Sequence, residues 1–238
     1  MSKRGLLIVL EGVEGVGKTT QWERIAESLR TSGQTVIAVR EPGGTEAGNA
    51  IRDIVLHSDW TLSGAGEALL FAASRAEIIA HAIQPALERG QVVLLDRFLL
   101  STYAYQGAGR GLDMDMLKTV NAFATNGITP DLTLLLTLPL HEALERARHR
   151  SQADRIEREN HSFHERVAEA FYSATDIRWQ RAHPECGDIV EIDAAGRIDD
   201  VTARCIATLA QRWPSNFGVL LDEYARTRPV GAQSVNHD

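Results

Sequence analysis

The chain has 238 residues, a formal net charge of −7, 44% hydrophobic and 24% charged side chains, the balance of a water-soluble globular protein long enough for one large domain. The acidic excess argues against a general nucleic-acid binder, so cations that hold phosphate must be placed locally. Cys186 and Cys205 form no Cys-x-x-Cys and no His/Cys cluster, which argues against a disulfide framework and a zinc site and suits a reducing cytoplasm; no apolar run approaches the roughly 20 residues that span a bilayer.

In chain order, the basic start Met1-Ser2-Lys3-Arg4 leads into an apolar run too short for a signal peptide. That run, Leu6–Leu10, reads as a buried parallel strand. It ends at Glu11 and at Gly12-Val13-Glu14-Gly15-Val16-Gly17-Lys18-Thr19-Thr20, the pattern G-x-x-x-x-G-K-[ST]. The glycines let successive N–H groups point at phosphate oxygens, Lys18 reaches the β/γ-phosphates, and the Thr19 hydroxyl suits Mg²⁺. A helix over about residues 18–30 adds its positive end to the same place. Further strands are expected at Thr35–Val39, Val92–Leu95, Leu132–Leu138 and Asp188–Ile192, and further helices at about 46–57, 65–89, 113–124, 140–150, 157–182 and 199–213. Strands alternating with helices imply an α/β three-layer sandwich, a five-stranded parallel sheet with helices on both faces. Residues 1–213 read as one domain, with an arginine-rich lid at about 146–158, and 214–238 as a C-terminal extension of low order.

Ligands of such sheets sit at the carboxyl ends of the strands. There the sequence places Arg40-Glu41-Pro42-Gly43-Gly44-Thr45 and Asp96-Arg97-Phe98. Asp96, closing an apolar run, has the layout of the acidic partner that holds Mg²⁺ beside a phosphate loop, or of a helix cap. Arg97 offers a planar fork to a phosphate, or a salt bridge to Glu11 or Glu41. Leu62-Ser63-Gly64-Ala65-Gly66 looks like a transporter-ATPase signature but precedes the acidic strand by too much, and reads as a loop and helix start. Gly107-Ala108-Gly109-Arg110-Gly111 follows no strand and reads as a turn.

Taken together, the ordered motifs resemble bacterial-type thymidylate kinases, P-loop nucleoside monophosphate kinases. They are the loop from Glu11 to Thr20, Arg40 to Thr45, Phe71-Ala72-Ala73-Ser74-Arg75, Asp96-Arg97-Phe98, Ser101-Thr102-Tyr103-Ala104-Tyr105-Gln106-Gly107 and Asp154-Arg155-Ile156-Glu157. The resemblance spans roughly residues 5–213. It implies transfer of the γ-phosphoryl of ATP to dTMP with Mg²⁺ at Thr19 and Asp96, and a homodimer formed through the long helices after the second and third strands. It further implies that Phe71 stacks on the base and Arg75 bonds a base oxygen. Arg52 and Arg97 would hold the monophosphate, Glu11 would approach the 3′-hydroxyl, and Pro42, Ser101, Thr102, Tyr105 and Gln106 would line the nucleoside pocket. Phe71 equally fits core packing. Because the loop itself has no arginine, transition-state charge would come from Arg148, Arg150 and Arg155 of the lid, with Lys18 and Arg97. Asp193-Ala194-Ala195-Gly196-Arg197 would approach adenine. Three rivals remain at this point, one of them a catalytically silent binding module. A second is a kinase for another nucleoside monophosphate (dUMP, UMP or CMP). The third is a GTPase-type switch, which lacks its Asn-Lys-x-Asp guanine reader here.

Overall fold

The structure is a computed structural model that describes residues 4–148 and 154–227. Its centre is one sheet of five parallel strands: β1 (Leu6–Glu11), β2 (Val36–Arg40), β3 (Val92–Asp96), β4 (Leu132–Thr137) and β5 (Ile189–Asp193), ordered β2-β3-β1-β4-β5. Leu7 to Leu10, Val93 to Leu95 and Leu134 to Leu136 are at most 1% exposed, so the middle strands are covered on both faces, as their unbroken apolar runs require. Edge strands β2 and β5 are less buried.

Two groups of helices supply the cover. The first comprises α1 (Lys18–Thr31), α10 (Ile198–Arg212) and α11 (Pro214–Thr227). The second comprises α2 (Glu46–Arg52), α3 (Gly64–Ile78), α6 (Met114–Thr125) and α8 (His161–Ser173). Short α4 (Gln84–Glu88) leads into β3, α7 (Leu140–Arg148) follows β4, and α9 (Ile177–Ala182) follows α8. Pairing brings Leu10 and Arg40 level with Asp96, which gathers the charged strand ends into one row.

Helix boundaries depart from the expected spans where polar side chains compete for backbone groups. The expected helix at 157–182 is broken in two, because Asn160 accepts from Phe163 N to start α8 and Asp176 accepts from Arg178 N to start α9. Ser63 caps α3 through Gly66 N, as the loop-and-helix-start reading requires. The spans 46–57 and 65–89 each pass through a π-helical turn, at Asp53–His57 and Ile79–Ile83. A helical stretch with no counterpart in the sequence reading runs from α5 (Leu99–Thr102) through a π-helical segment, Tyr103–Gly109, and it takes in the first part of the glycine-rich 107–111 stretch.

The expectation of low order beyond residue 213 is corrected as far as Thr227. Pro214 opens α11, and Phe217 and Leu220, three apart on one helical side, are 0% and 1% exposed. Phe217 meets Trp213 edge-to-face at 5.7 Å. Phe217→Ala should therefore cost about 3–5 kcal/mol, read by urea unfolding; a loss under about 1 kcal/mol would show that α11 contributes no core.

Candidate active site

The loop between β1 and α1 is pressed against its neighbours. A Cβ on Gly12 would lie 2.4 Å from the Leu136 carbonyl oxygen, and one on Gly15 1.8 Å from that of Ala143; both glycines also hold positive φ, so neither position accepts a side chain. Lys18 Nζ donates to Val13 O at 2.7 Å inside the loop. Burial first, then the nearby Arg97 guanidinium, pulls the Lys18 ammonium down to about 7, against the opposing pull of Glu14, Asp96 and Glu11. The site is thus built for an ammonium with an anionic partner.

Glu11 is 0% exposed. One carboxylate oxygen accepts from Phe98 N (2.8 Å) and Ser101 N (3.0 Å), the other from Ser101 Oγ (2.6 Å). It caps α5, whose own sequence supplies no cap. Glu11 lines neither cleft at the strand ends, which departs from its expected place near a sugar hydroxyl. Its oxygens are taken by the helix start. Glu14, expected only as a loop residue, lines both clefts.

Arg97 takes up φ +70, a conformation that costs a non-glycine residue about 1–3 kcal/mol and is kept only where its surroundings enforce it. Its Nη1 donates to Gly12 O (3.1 Å) and Ser101 Oγ (3.0 Å), its Nη2 to Glu14 (3.0 Å) and Tyr105 Oη (3.1 Å). Tyr105 in turn donates to Glu14 at 2.5 Å. The partner of Arg97 is Glu14, not Glu11 or Glu41. Burial works against the charge of Arg97, but Tyr105, Glu14, Glu11 and Asp96 outweigh it and raise its pKa further.

Two clefts meet at these residues. The loop cleft is lined by Gly15, Gly17, Lys18, Thr19, Arg40, Arg52, Asp96 and Glu157. The inner pocket is lined by Phe71, Arg75, Phe98, Ser101, Thr102, Gln106 and Ile156. Glu14, Glu41, Pro42, Arg97 and Asp154 border both. The structure therefore gathers Lys18, Thr19, Arg52, Asp96 and Arg97 at one cleft and Pro42, Phe71, Arg75, Ser101, Thr102, Tyr105 and Gln106 at its continuation. Arg52 donates to Pro42 O at 2.9 Å; burial, then neighbouring Arg40, lowers its pKa. Arg40, Glu41 and Asp154 are lining residues whose roles the sequence reading did not name; their signal was position at a strand end or in a motif.

Arg75 is 2% exposed and nearly spent. Nε donates to Glu41 (2.8 Å), Nη1 to Thr102 (2.9 Å) and Asn121 (2.6 Å), Nη2 to Phe98 O (3.2 Å). A guanidinium has five N–H groups, so one Nη2–H has no partner among the described residues and is left for a single acceptor in the pocket. Glu41 keeps one buried oxygen without a partner among the described residues, and burial raises its carboxyl to about 7 despite Arg75.

Asp96 likewise has a buried Oδ1 without a partner among the described residues, while Thr19 Oγ1 donates to its Oδ2 at 3.2 Å. One hydroxyl and one carboxylate fit a hard divalent cation that takes its remaining oxygens from phosphate and water. No group of three or more His, Cys, Asp or Glu suited to a metal occurs among the described residues.

The lid arginines separate. Arg148 lines a cavity with Glu14, Ala147, Glu157 and His164. Arg150 lies outside the described residues. Arg155 lines neither the loop cleft nor the inner pocket, a departure from its expected place at a transferring phosphate: its Nη2 is held by buried Glu67 at 2.6 Å and its Nε by Val55 O at 2.8 Å. Among the remaining loop residues, Val13 and Val16 are buried at 7% and 2% exposure, and Thr20 lies in the first turn of α1.

Comparison with known proteins agrees with this geometry. The model of the family described as Thymidylate kinase matches residues 10–202. A thymidylate kinase of Deinococcus radiodurans is 43% identical over 209 residues, 88% of this chain and 98% of that one. One of Halothermothrix orenii is 49% identical over 178 residues, 74% of this chain and 86% of that one. Among solved structures, thymidylate kinase from Ehrlichia chaffeensis superposes with a TM-score of 0.66 at 26% identity, covering 87% of this chain and 99% of the other.

The depressed Lys18 ammonium has a signature in the ligand-free protein. Between about 7 and the ordinary lysine value of 10.5 the unfolded chain holds a proton that the folded chain has released, so this group makes stability rise with pH across that window. Lys18→Met should flatten the rise in urea unfolding followed at pH 7 and pH 9; an unaltered rise in the variant would assign it to other groups.

Proposed function

The chain belongs to the thymidylate kinase family, and we propose that its loop cleft holds ATP, its inner pocket holds dTMP, and the γ-phosphoryl crosses where Glu14, Arg97 and Asp154 border both. It is an enzyme that phosphorylates dTMP to dTDP. The observation that carries the division of roles is the continuity of a loop cleft that gathers Lys18, Arg40, Arg52 and Arg97 with a pocket walled by Phe71 and an arginine that has one N–H left.

In this reading Phe71 stacks on thymine, and the last N–H of Arg75 meets one base oxygen. An amino group at that place would set donor against donor, which disfavours cytosine nucleotides. Arg52 and Arg97 hold the acceptor phosphate, with Pro42, Ser101, Thr102, Tyr105 and Gln106 shaping the pocket. Glu14, bordering both clefts, is the carboxylate placed to accept from the sugar; Glu11 acts behind it as the cap of α5. The backbone of residues 12–20 cradles the ATP phosphates, and Lys18 gains the anionic partner that its buried ammonium lacks. The acceptor phosphate is its own nucleophile, so alignment of two anions and relief of their repulsion supply the catalysis. Mg²⁺, held by Thr19, Asp96 and the nucleotide, would add positive charge at the bridging oxygens. Arg148 and Arg150 would add lid charge.

Association as a homodimer through α3 and α6 is supported by the exposed apolar side chains Leu69 (59%) on α3 and Met116 (69%) and Phe123 (89%) on α6. A cytoplasmic location accords with the buried, unpaired Cys186 and Cys205 and with the finding that no helix among the described residues is long and apolar enough to cross a membrane.

ADP release measured across dTMP, dUMP, UMP, CMP, AMP and GMP tests the reading. The expected outcome is strong preference for dTMP and weakest use of CMP among the pyrimidine nucleotides, with Lys18→Ala reducing turnover by at least about a thousandfold while near-native circular dichroism persists. Turnover with another nucleotide and none with dTMP would overturn it.

A further inference from the structure

Glu67, on α3, belongs to neither cleft, yet it is 0% exposed and charged. A buried carboxylate persists only when its oxygens are saturated, and here they are. Oε1 accepts from Gln106 Nε2 (2.9 Å) and Arg110 Nε (3.1 Å); Oε2 accepts from Arg110 Nη2 (2.9 Å) and Arg155 Nη2 (2.6 Å). Burial alone would raise its pKa, but the bonds from Arg110, Gln106 and Arg155 outweigh that and hold it below the ordinary value. One carboxylate thereby joins α3 to two further segments, those of Gln106–Arg110 and of Arg155, which the Arg110 Nη1 bond to Glu159 (2.5 Å) also ties to each other.

All three wall the inner pocket, α3 through Phe71 and Arg75. Gln106 lines it directly. Arg155 does not, but its chain neighbours Asp154 and Ile156 do, and Arg155 is fastened twice more to the segment after α2, through Arg155 N to Leu56 O (2.9 Å) and Nε to Val55 O (2.8 Å). The stretch 154–156 therefore reaches the pocket with its middle residue pinned from behind.

We propose that Glu67 is a positioning residue for the phosphoryl transfer: by binding Arg155 and Gln106 together it sets Asp154, Ile156 and Gln106 against the nucleotide, and Arg155 acts through this anchor and not on the transferring phosphoryl. The inference rests on the kinase reading for its kinetic half only, since the anchoring itself is a property of the ligand-free protein.

The test is a double-mutant cycle of Glu67→Gln, Arg155→Gln and the pair, read by dTMP kinetics and by deuterium uptake of peptide 154–160 without ligand. The anchor predicts that each single variant raises the KM for dTMP about tenfold or more, as expected for loss of a charged hydrogen bond, with kcat changed less. The pair should be no worse than the poorer single variant, and uptake of the peptide should quicken in all three. Additive losses would overturn the proposal, as would a collapse of kcat in Arg155→Gln that Glu67→Gln does not share, which would put Arg155 on the phosphoryl. Unchanged uptake would reject the anchor even if dTMP proved not to be the substrate. Should Glu67→Gln fail to fold, Arg155→Gln, whose side chain is 13% exposed, decides by uptake and by the split between KM and kcat.

Discussion

The site depends on the bond between a β1 carboxylate and the start of a helix nearly ninety residues later. Glu11 leaves the sheet beside the phosphate loop and receives the N–H groups of Phe98 and Ser101. Those donors have no partner within their own helix, and leaving them unsatisfied in the interior would cost about 1–3 kcal/mol each. The same bonds fix where α5 begins, and with it the direction of Ser101, Thr102, Tyr105 and Gln106. Arg97, held at φ +70 immediately before, is thereby brought onto the Gly12 carbonyl and Glu14. Loop and pocket are tied together because the residue that closes β1 also caps α5, with Arg97 as a second link between them.

Around that unit Arg97 and Arg75 are paired with Glu14 and Glu41, while the Lys18 ammonium has only a backbone oxygen as its hydrogen-bond partner among the described residues. Lys18 is buried and depressed, Arg97 is shared among four acceptors, and Arg75 keeps one donor for a ligand. The carboxylates show the complementary shortage, with Asp96 Oδ1 and Glu41 Oε1 buried and unpartnered among the described residues. Such unfinished pairings are costly in a structural core and acceptable where a ligand completes them. Two phosphorylated substrates and a cation supply what each side lacks.

The features legible in the sequence are local ones. The apolar runs gave the strands, because a parallel strand buried on both faces has no polar alternation to blur it. The glycine loop and the charged residues closing β2 and β3 were legible because strand ends are where such sheets bind ligands. What escaped depends on partners far apart in the chain. The helix from Leu99 to Gly109 has its cap on β1, so no cap appears in its own sequence. Glu11 looked available to a sugar because nothing nearby in sequence shows that its oxygens are taken. Arg155 looked like its neighbouring lid arginines because its partner, Glu67, is 88 residues away. The order of α11 turned on the spacing of Phe217 and Leu220, short enough to be lost among polar residues.

The role of Glu11 as the common anchor is open to direct measurement in the ligand-free protein. Deuterium exchange at the Phe98 and Ser101 amides, compared between the native chain and Glu11→Ala, isolates the cap from any contact with substrate. The account predicts slow exchange at both amides in the native chain and acceleration of about tenfold or more in the variant, the scale of a lost hydrogen bond to a charged group. Equal protection in the two proteins would show that α5 and the pocket stand without the Glu11 carboxylate, and would contradict the account.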